Sequence, residues 1–229
     1  MGANPDLYLR QVLIGPMANF VYFIGSKRTR ECLLVDPAWD IDALLEIAAE
    51  DDMKVTGALV THYHPDHCGG HMMGFKVPGG VHELLERVAG KIHVNRIEAD
   101  GVKKVTGVGE GDLVRHDSGD SLRLGDVEIE LIHTPGHTPG SQCFLVDRRL
   151  VAGDTLFVNG CGRVDLPGGD PEQMYETLTG TLAKLTDDVL LLPGHNYGPT
   201  PESTMGEQRR TNHYLRIRSL DDWLRLMGR

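Results

Sequence analysis

The sequence predicts a mixed α/β fold in which two β-sheets are covered by helices on their outer sides. Three observations support this class. The chain opens with hairpin-like strands, continues with strands that alternate with helices, and is rich in turn residues, with 28 Gly and 12 Pro. At 229 residues and 40% hydrophobic content it can bury a full core. We therefore expect one domain over residues 1–229, with a short C-terminal helical segment from about residue 202.

The first half of the chain is predicted to follow the order β-β-β-α-β-α-β. Apolar runs bounded by Gly-Pro or charged turns indicate strands, and apolar spacing behind Asp40, a suitable N-cap, indicates the first helix. The predicted elements are strands at 7–14, 19–25 and 32–35, a helix at 41–49, a strand at 55–60, a helix at 81–88 and a strand at 91–94.

The second half is predicted to contain two hairpins, a capped helix, a short strand and a broken terminal helix. Gly125-Asp126 is a hairpin signal, and Asp170-Pro171-Glu172-Gln173 combines an N-cap, a first-turn proline and a capping glutamine. The predicted elements are strands at 121–124, 127–133, 142–146, 150–152 and 189–192, with helices from 170 to about 185 and from 202 to about 227.

The amino-acid composition limits the classes of partner that we expect the protein to bind. The balance of 23 basic and 33 acidic residues gives a net charge of −10, which argues against a nucleic-acid partner. No apolar stretch approaches the ~20 residues that span a bilayer, so we expect no membrane partner. The four cysteines are scattered without a C-x-x-C pair, which favours reduced thiols and a cytoplasmic location. We expect a small-molecule substrate, and a sheet edge or the final helix could form a homodimer.

Thr61-His62-Tyr63-His64-Pro65-Asp66-His67 places four potential metal ligands within six residues, directly after a predicted strand. In an extended segment, side chains two residues apart project the same way, so His62 and His64 can converge on one ion. Asp66 and His67 are adjacent, so their side chains project in different directions. They cannot both bind the same ion as His62 and His64 without distorting the backbone. The motif is therefore predicted to serve two adjacent ions, the alternative being a surface turn that binds metal adventitiously.

Three later segments share one design, in which a strand runs into a glycine-flanked turn that presents a single polar side chain. Glycine permits a tight backbone and a close approach at each turn. The segments are Thr134-Pro135-Gly136-His137, Ala152-Gly153-Asp154-Thr155 and Leu192-Pro193-Gly194-His195. We predict that His137, Asp154 and His195 join the histidines of the first loop in one site.

The predicted ligand set of five histidines and two aspartates suits two divalent metal ions. Asp154 has two oxygens and is the natural bridging ligand. One ion is assigned to His62, His64 and His137, and the other to Asp66, His67 and His195. Nitrogen and oxygen ligands without thiolate accept zinc, iron and manganese alike, so the donor set does not select the metal. We expect two divalent ions, with Zn²⁺ as the first choice.

The order of these motifs, His-x-His-x-Asp-His, Pro-Gly-His-Thr-Pro-Gly-Ser, Gly-Asp-Thr and Pro-Gly-His, resembles the metallo-β-lactamase superfamily over nearly the whole chain. The resemblance implies a four-layer αβ/βα sandwich with a dinuclear site at one edge of the two sheets. The segment from Thr155 to Arg163, with His195-Asn196-Tyr197, is similar to the glyoxalase II branch, the hydroxyacylglutathione hydrolases. This similarity implies that Arg163 and Tyr197 contact a glutathione-derived substrate.

The function that follows is a metal-dependent hydrolase that acts on a hydroxyacylglutathione-like thioester through a metal-bound hydroxide, with Asp66 orienting the nucleophile. Two alternatives stay open. Gly160-Cys161-Gly162-Arg163-x-Asp165 also resembles the persulfide dioxygenases, which implies a single Fe²⁺ held by His62, His137 and Asp154. Asp165 stands where the glyoxalase II branch has an aromatic contact. A lactonase or another ester hydrolase would use much of the same motif.

Overall fold

The structure, a computed structural model, describes residues 4–228. Its first half contains eight strands and four helices, and the strands predicted at 7–14, 19–25, 32–35, 55–60 and 91–94 are all present to within one residue. The elements are β1 (Leu7–Ile14), β2 (Asn19–Ser26), β3 (Glu31–Val35), α1 (Ile41–Glu50), β4 (Lys54–Leu59), α2 (Pro65–Cys68), β5 (Gly69–Met72), β6 (Phe75–Gly80), α3 (Val81–Arg87), β7 (Lys91–Asn95), α4 (Ala99–Thr106) and β8 (Leu113–His116).

The second half of the described chain contains eight further strands and three helices. Both predicted hairpins are confirmed, with Gly125 and Asp126 in the first turn. The elements are β9 (Ser121–Leu124), β10 (Val127–His133), β11 (Gln142–Val146), β12 (Arg149–Val151), β13 (Leu156–Phe157), β14 (Gly160–Cys161), α5 (Pro171–Glu176), β15 (Leu190–Leu192), β16 (Ser203–Thr204), α6 (Met205–Thr211) and α7 (Leu220–Leu226).

The strands form two six-stranded mixed sheets. The first has the order β1-β2-β3-β4-β7-β8, antiparallel through β3 and parallel from β3 to β8. The second has the order β16-β15-β12-β11-β10-β9, in which only the β12–β15 pair is parallel. Because parallel strands end at the same edge, the segments after β12 and β15 emerge side by side.

Alternation along β2 shows how the layers pack. Phe20 and Ile24 face the second sheet, whereas Val21 and Phe23 face helices on the other side. The apolar cluster between the sheets joins β2 to residues such as Phe144, and a third cluster packs helices on the outer face of the second sheet. Three apolar clusters therefore exist among the described residues: one between the first sheet and its helices, one between the two sheets, and one between the second sheet and its helices. Because each large side chain removed from water contributes ~1.5–3 kcal/mol, these clusters dominate the stability of the fold. The arrangement confirms the predicted four-layer αβ/βα sandwich.

Two helices differ from the sequence prediction in addition to the short helix α2. Helix α4 was not predicted, because Gly101 and three β-branched residues give it low intrinsic propensity; burial of Val102 and Val105 against the first sheet stabilises it, and Gly107 ends it in the left-handed region. The helix predicted from 170 to 185 starts at its Asp170 cap but is regular only to Glu176, and continues as a π turn and a 3₁₀ turn to residue 184.

Two findings bear on the predicted environment of the protein. Within residues 4–228, no helix is both long enough and apolar enough to cross a bilayer. All four cysteines are free thiols in the structure. Burial raises the pKa of Cys32 and of Cys161 to about 12, so neither is a reactive thiolate at neutral pH.

Candidate metal centre

The structure brings all seven predicted ligands together at one edge of the sandwich. They come from the loop and short helix after β4 and from the turns that follow β10, β12 and β15. The five histidines are at most 5% exposed, and the Asp66 and Asp154 side chains are 10% and 12% exposed. Residues from four distant parts of the chain therefore meet in one desolvated pocket.

His62, His64 and His137 form the first group of ligands, which we call the three-histidine group. One ring nitrogen from each lies within 4.8 Å of the others. His64 Nδ1 and His137 Nε2 are 2.9 Å apart. Nε2 of His62 is buried and has no hydrogen-bond partner. A buried polar atom without a partner is costly, so this nitrogen is suited to bind a cation.

Asp66, His67 and His195 form the second group, and Asp154 completes it. Nε2 of His67 and of His195 are 3.1 Å apart, and each lies 3.2–3.4 Å from Asp66 Oδ2 and from Asp154 Oδ1. Two ligands on a tetrahedral ion with ~2.0–2.1 Å bonds are about 3.3 Å apart. Five of the six distances among these four atoms therefore match a tetrahedral ligand set, so the residues fit a divalent cation.

Asp154 faces both groups. Its Oδ1 lies against the second group, while its Oδ2 is 3.6 Å from Nε2 of His137 in the three-histidine group. Oδ1 is buried and makes no hydrogen bond, although two imidazoles lie at ion-pair distance. Gly194 makes this approach possible, since a Cβ there would lie 2.6 Å from Asp154 Oδ1.

The short helix α2 explains how neighbouring ligands reach the same group. The residues after Pro65 are helical rather than extended, and Asp66 and His67 both point to the second group. His62 and His64, in the extended segment before it, point to the first group, as the two-residue spacing predicted.

Hydrogen bonds behind the ligands orient the imidazoles. Nδ1 of His67 bonds Asp36 Oδ2 at 2.9 Å, that of His195 bonds the Met17 carbonyl at 2.9 Å, and that of His137 bonds the Arg163 carbonyl at 2.7 Å. With Nδ1 occupied as a donor, Nε2 of each ring presents its lone pair to the pocket.

The electrostatics differ between the two groups. In the three-histidine group, burial lowers the pKa of His62, His64 and His137, that of His64 to about 3, so these rings are neutral. In the second group, burial also acts to lower the pKa values of His67 and His195. There Asp154 and Asp66 outweigh it, and the pKa of His195 rises to about 9. The two carboxylates therefore stabilise positive charge at this position.

Three residues that support the site were not predicted as such. Asp36 accepts hydrogen bonds from the amide and hydroxyl of Thr61 as well as from His67. Asn19 donates to both the carbonyl and Oδ2 of Asp66 at 3.0 Å. The third is Glu98, which lies behind the ligand loops. Of these three residues, only Asp36 has a sequence context that points to the site, because it directly follows a buried strand as the predicted ligands do.

The two predicted substrate residues are placed differently. The Tyr197 ring stacks on His195 with centroids 4.4 Å apart and is 58% exposed, so it forms part of the mouth of the pocket. The Arg163 guanidinium is also exposed, but it makes two 2.7 Å bonds to the Asp165 carboxylate. The role of Arg163 in binding substrate stays a prediction, and its carbonyl holds His137.

The segment that contains the predicted ligands also matches a known protein family. The family model for the metallo-beta-lactamase superfamily matches residues 14–195, a range that contains all seven predicted ligands. The chain therefore belongs to the metallo-beta-lactamase superfamily.

Relatives from two branches of that superfamily are similar to this chain. The mitochondrial persulfide dioxygenase ETHE1 of Homo sapiens is 29% identical over 232 residues, covering 99% of this chain and 83% of its own length. The hydroxyacylglutathione hydrolase GloC of Haemophilus influenzae is 29% identical over 203 residues, covering 83% and 90%. The crystal structure of ETHE1 from Myxococcus xanthus superimposes with a TM-score of 0.82 at 28% identity, covering 96% and 89%.

Proposed function

We propose that this protein is a metal-dependent hydrolase that cleaves a thioester of the hydroxyacylglutathione type. The observation that carries the proposal is the position of Asp154 between two ligand groups, with one carboxylate oxygen toward each. A site for a single structural ion would not need seven converging ligands. The similarity to GloC supports the choice of substrate class.

In this proposal, the three-histidine group would hold one divalent cation and the second group would hold another, and Asp154 would contribute to both sites. Zn²⁺ is the expected metal, and iron or manganese is compatible with the same nitrogen and oxygen donors. When bound, such a pair would supply Lewis-acid polarisation of a carbonyl and would lower the pKa of a bound water toward ~7.

Asp66 is proposed to orient the attacking water. Burial acts to raise the pKa of this carboxyl, but the neighbouring His67 and His195 hold it well below its usual range, so Asp66 stays ionised at neutral pH. Asn19 fixes Oδ2 of Asp66 through a 3.0 Å hydrogen bond. A fixed, ionised carboxylate is suited to accept a proton from water and to set its direction.

Tyr197 is proposed to contact the substrate beside the second group. Its exposed ring packs against His195 and lies 5.5 Å from the Phe157 ring, which gives an aromatic wall next to the ligands. The Arg163 guanidinium would have to exchange Asp165 for a substrate carboxylate. Because that ion pair is exposed to solvent, it is weak enough for such an exchange.

A persulfide dioxygenase is the second candidate, and the similarity to ETHE1 over nearly the whole chain favours it. In this case, His62, His137 and Asp154 would hold a single iron, which would supply the oxygen chemistry. The Arg163–Asp165 pair lies in the segment that resembles this branch. Both candidates use the same pocket and a small sulfur-containing substrate.

One preparation of protein, purified without added metal, tests both candidates. Elemental analysis is combined with two assays, hydrolysis of lactoylglutathione and oxygen consumption with glutathione persulfide. The hydrolase proposal predicts two metal equivalents and thioester cleavage that stops after chelation and returns with Zn²⁺. One equivalent of iron with oxygen uptake, and no cleavage of the thioester, would establish the dioxygenase instead.

A further inference from the structure

Glu98 is a buried carboxylate whose hydrogen bonds go to neighbours of the predicted ligands in sequence and not to the ligands themselves. It directly precedes α4 and is 1% exposed. Its Oε1 accepts hydrogen bonds from the Tyr63 amide at 2.8 Å and from the Thr138 hydroxyl at 2.7 Å, and its Oε2 accepts one from the Gly140 amide at 2.8 Å. All three donors lie in the two loops that carry the three-histidine group.

The three donors are close in sequence to the histidines of the three-histidine group. Tyr63 lies between His62 and His64, and Thr138 directly follows His137. A single oxygen of Glu98 therefore connects the loop after β4, which belongs to the first sheet, to the loop after β10, which belongs to the second. Nδ1 of His64 and Nε2 of His137 are held 2.9 Å apart across this connection.

The two loops and Glu98 are closely packed, which leaves little room for the backbone to move. A Cβ at Gly140 would lie 2.5 Å from the Glu98 amide and from Oε2. A Cβ at Gly101 in α4 would lie 2.7 Å from the Tyr63 ring. The Thr138 hydroxyl is also 2.7 Å from the Ser141 hydroxyl. Thr138 and Gly140, which follow His137, thus form a turn that packs around one carboxylate.

Two ordinary roles for a buried glutamate do not apply. Although Glu98 is at the N-cap position of α4, its side chain makes no capping bond to that helix. No cation in the described part of the chain compensates its charge, and burial raises its pKa to about 7 against the lowering effect of the three hydrogen bonds. A buried carboxylate costs free energy to desolvate, and here the three donors from the ligand loops offset that cost.

We propose that Glu98 is a positioning residue that sets the separation between His62–His64 and His137, and so sets the metal affinity of the three-histidine group. The inference rests on the proposed metal centre but not on the reaction that it performs. Removing the carboxylate should weaken one metal equivalent and leave the one at Asp66, His67 and His195 nearly unchanged. Partners behind metal ligands typically contribute 10–100-fold to affinity.

The test is Co²⁺ titration of the metal-free full-length protein, followed by visible absorption, for wild type, Glu98→Gln and Glu86→Gln. Gln has the size of Glu but must turn an N–H toward at least one of the three donors. The exposed Glu86 is the matched control. We expect Glu98→Gln to weaken one equivalent about 10-fold or more and the other less than twofold, with Glu86→Gln like wild type.

A double-mutant comparison identifies the weakened group. In a His195→Ala background, which impairs the second group, the effect of Glu98→Gln should persist; in a His137→Ala background it should vanish. Thr138→Val, which removes one donor, should act in the same direction and serves if Glu98→Gln does not fold. Equal weakening of both equivalents, or none, overturns the positioning role. If wild type binds no Co²⁺, the proposed function fails as well, whereas absent thioester cleavage with asymmetric binding overturns only that function.

Discussion

At the scale of single residues, the decisive position is Asp154. Its two oxygens face different ligand groups, so we expect Asp154→Ala to leave at most one metal equivalent and to abolish turnover. Elemental analysis after dialysis, together with the thioester assay, measures both effects. Full metal content with normal turnover would show that Asp154 does not bridge. His64→Ala should likewise remove the ion of the three-histidine group.

Gly194 gives a second prediction at this scale. A methyl group there would lie 2.6 Å from Asp154 Oδ1, so Gly194→Ala should displace that oxygen and reduce metal affinity by at least 10-fold. Gly180→Ala is the control, because a Cβ at Gly180 meets no atom within 4 Å. Equal metal affinity in the two variants, measured by competition with a chromophoric chelator, would contradict the assignment.

The convergence of the seven predicted ligands could be read from the sequence and that of their supports could not, for a physical reason. Each ligand lies in a local context that identifies it, such as the dense His-x-His-x-Asp-His loop or a glycine turn after a strand. Asn19 and Glu98 act through contacts 47 and at least 35 residues away, and nothing in their immediate sequence marks them. Arg163 is a residue whose sequence context suggested a substrate contact but did not reveal that Asp165 pairs with its guanidinium.

At the scale of elements, the strands were predictable because their apolar runs face buried layers, whereas elements that depend on tertiary packing were not. The β5–β6 hairpin contains Gly69, Gly70, Gly74, Gly79 and Gly80, which lower strand propensity. Its backbone packs too closely for side chains, since a Cβ at Gly69 would lie 2.3 Å from the Gly79 carbonyl. Periodicity alone cannot show such an approach.

The β7–β8 pair carries a prediction that does not depend on metal. His93 Nδ1 and His116 Nε2 are 2.9 Å apart, and burial together with His116 lowers the pKa of His93 to about 4. The unfolded chain therefore binds this proton before the folded protein does. His93 should contribute stability that is fully present above pH 6.5 and is lost as the pH falls toward 4, by ~1–3 kcal/mol.

Urea unfolding of the metal-free protein at pH 7 and pH 4.5 measures this effect. The variant His93→Gln should lose less free energy of unfolding between the two pH values than wild type. The exposed His82 is the matched control, and His82→Gln should behave as wild type. Other buried histidines of the pocket also contribute to the total pH dependence, so only the difference between the variants tests His93. Identical losses in His93→Gln and His82→Gln would contradict the prediction.

At the scale of the whole molecule, the metal pocket is also where the two sheets are joined. The Phe20 amide of the first sheet donates to the Gly194 carbonyl, and the Gln142 amide of the second donates to the Thr61 carbonyl. His62, His64, Asp66 and His67 follow the first sheet, whereas His137, Asp154 and His195 follow strands of the second. Bound ions would therefore cross-link the two halves of the sandwich.

This cross-link makes the unfolding temperature depend on metal. A ligand present at 1,000 times its Kd stabilises the native state by ~4 kcal/mol, which raises the Tm of a chain of this size by ~8–16 °C. We expect calorimetry to show one transition, as a single domain over 1–229 requires, and to show that Zn²⁺ raises its midpoint relative to chelated protein. In Asp154→Ala the rise should be much smaller. Two separate transitions would contradict the single domain, and equal midpoints with and without Zn²⁺ would show that the ions do not connect the sheets.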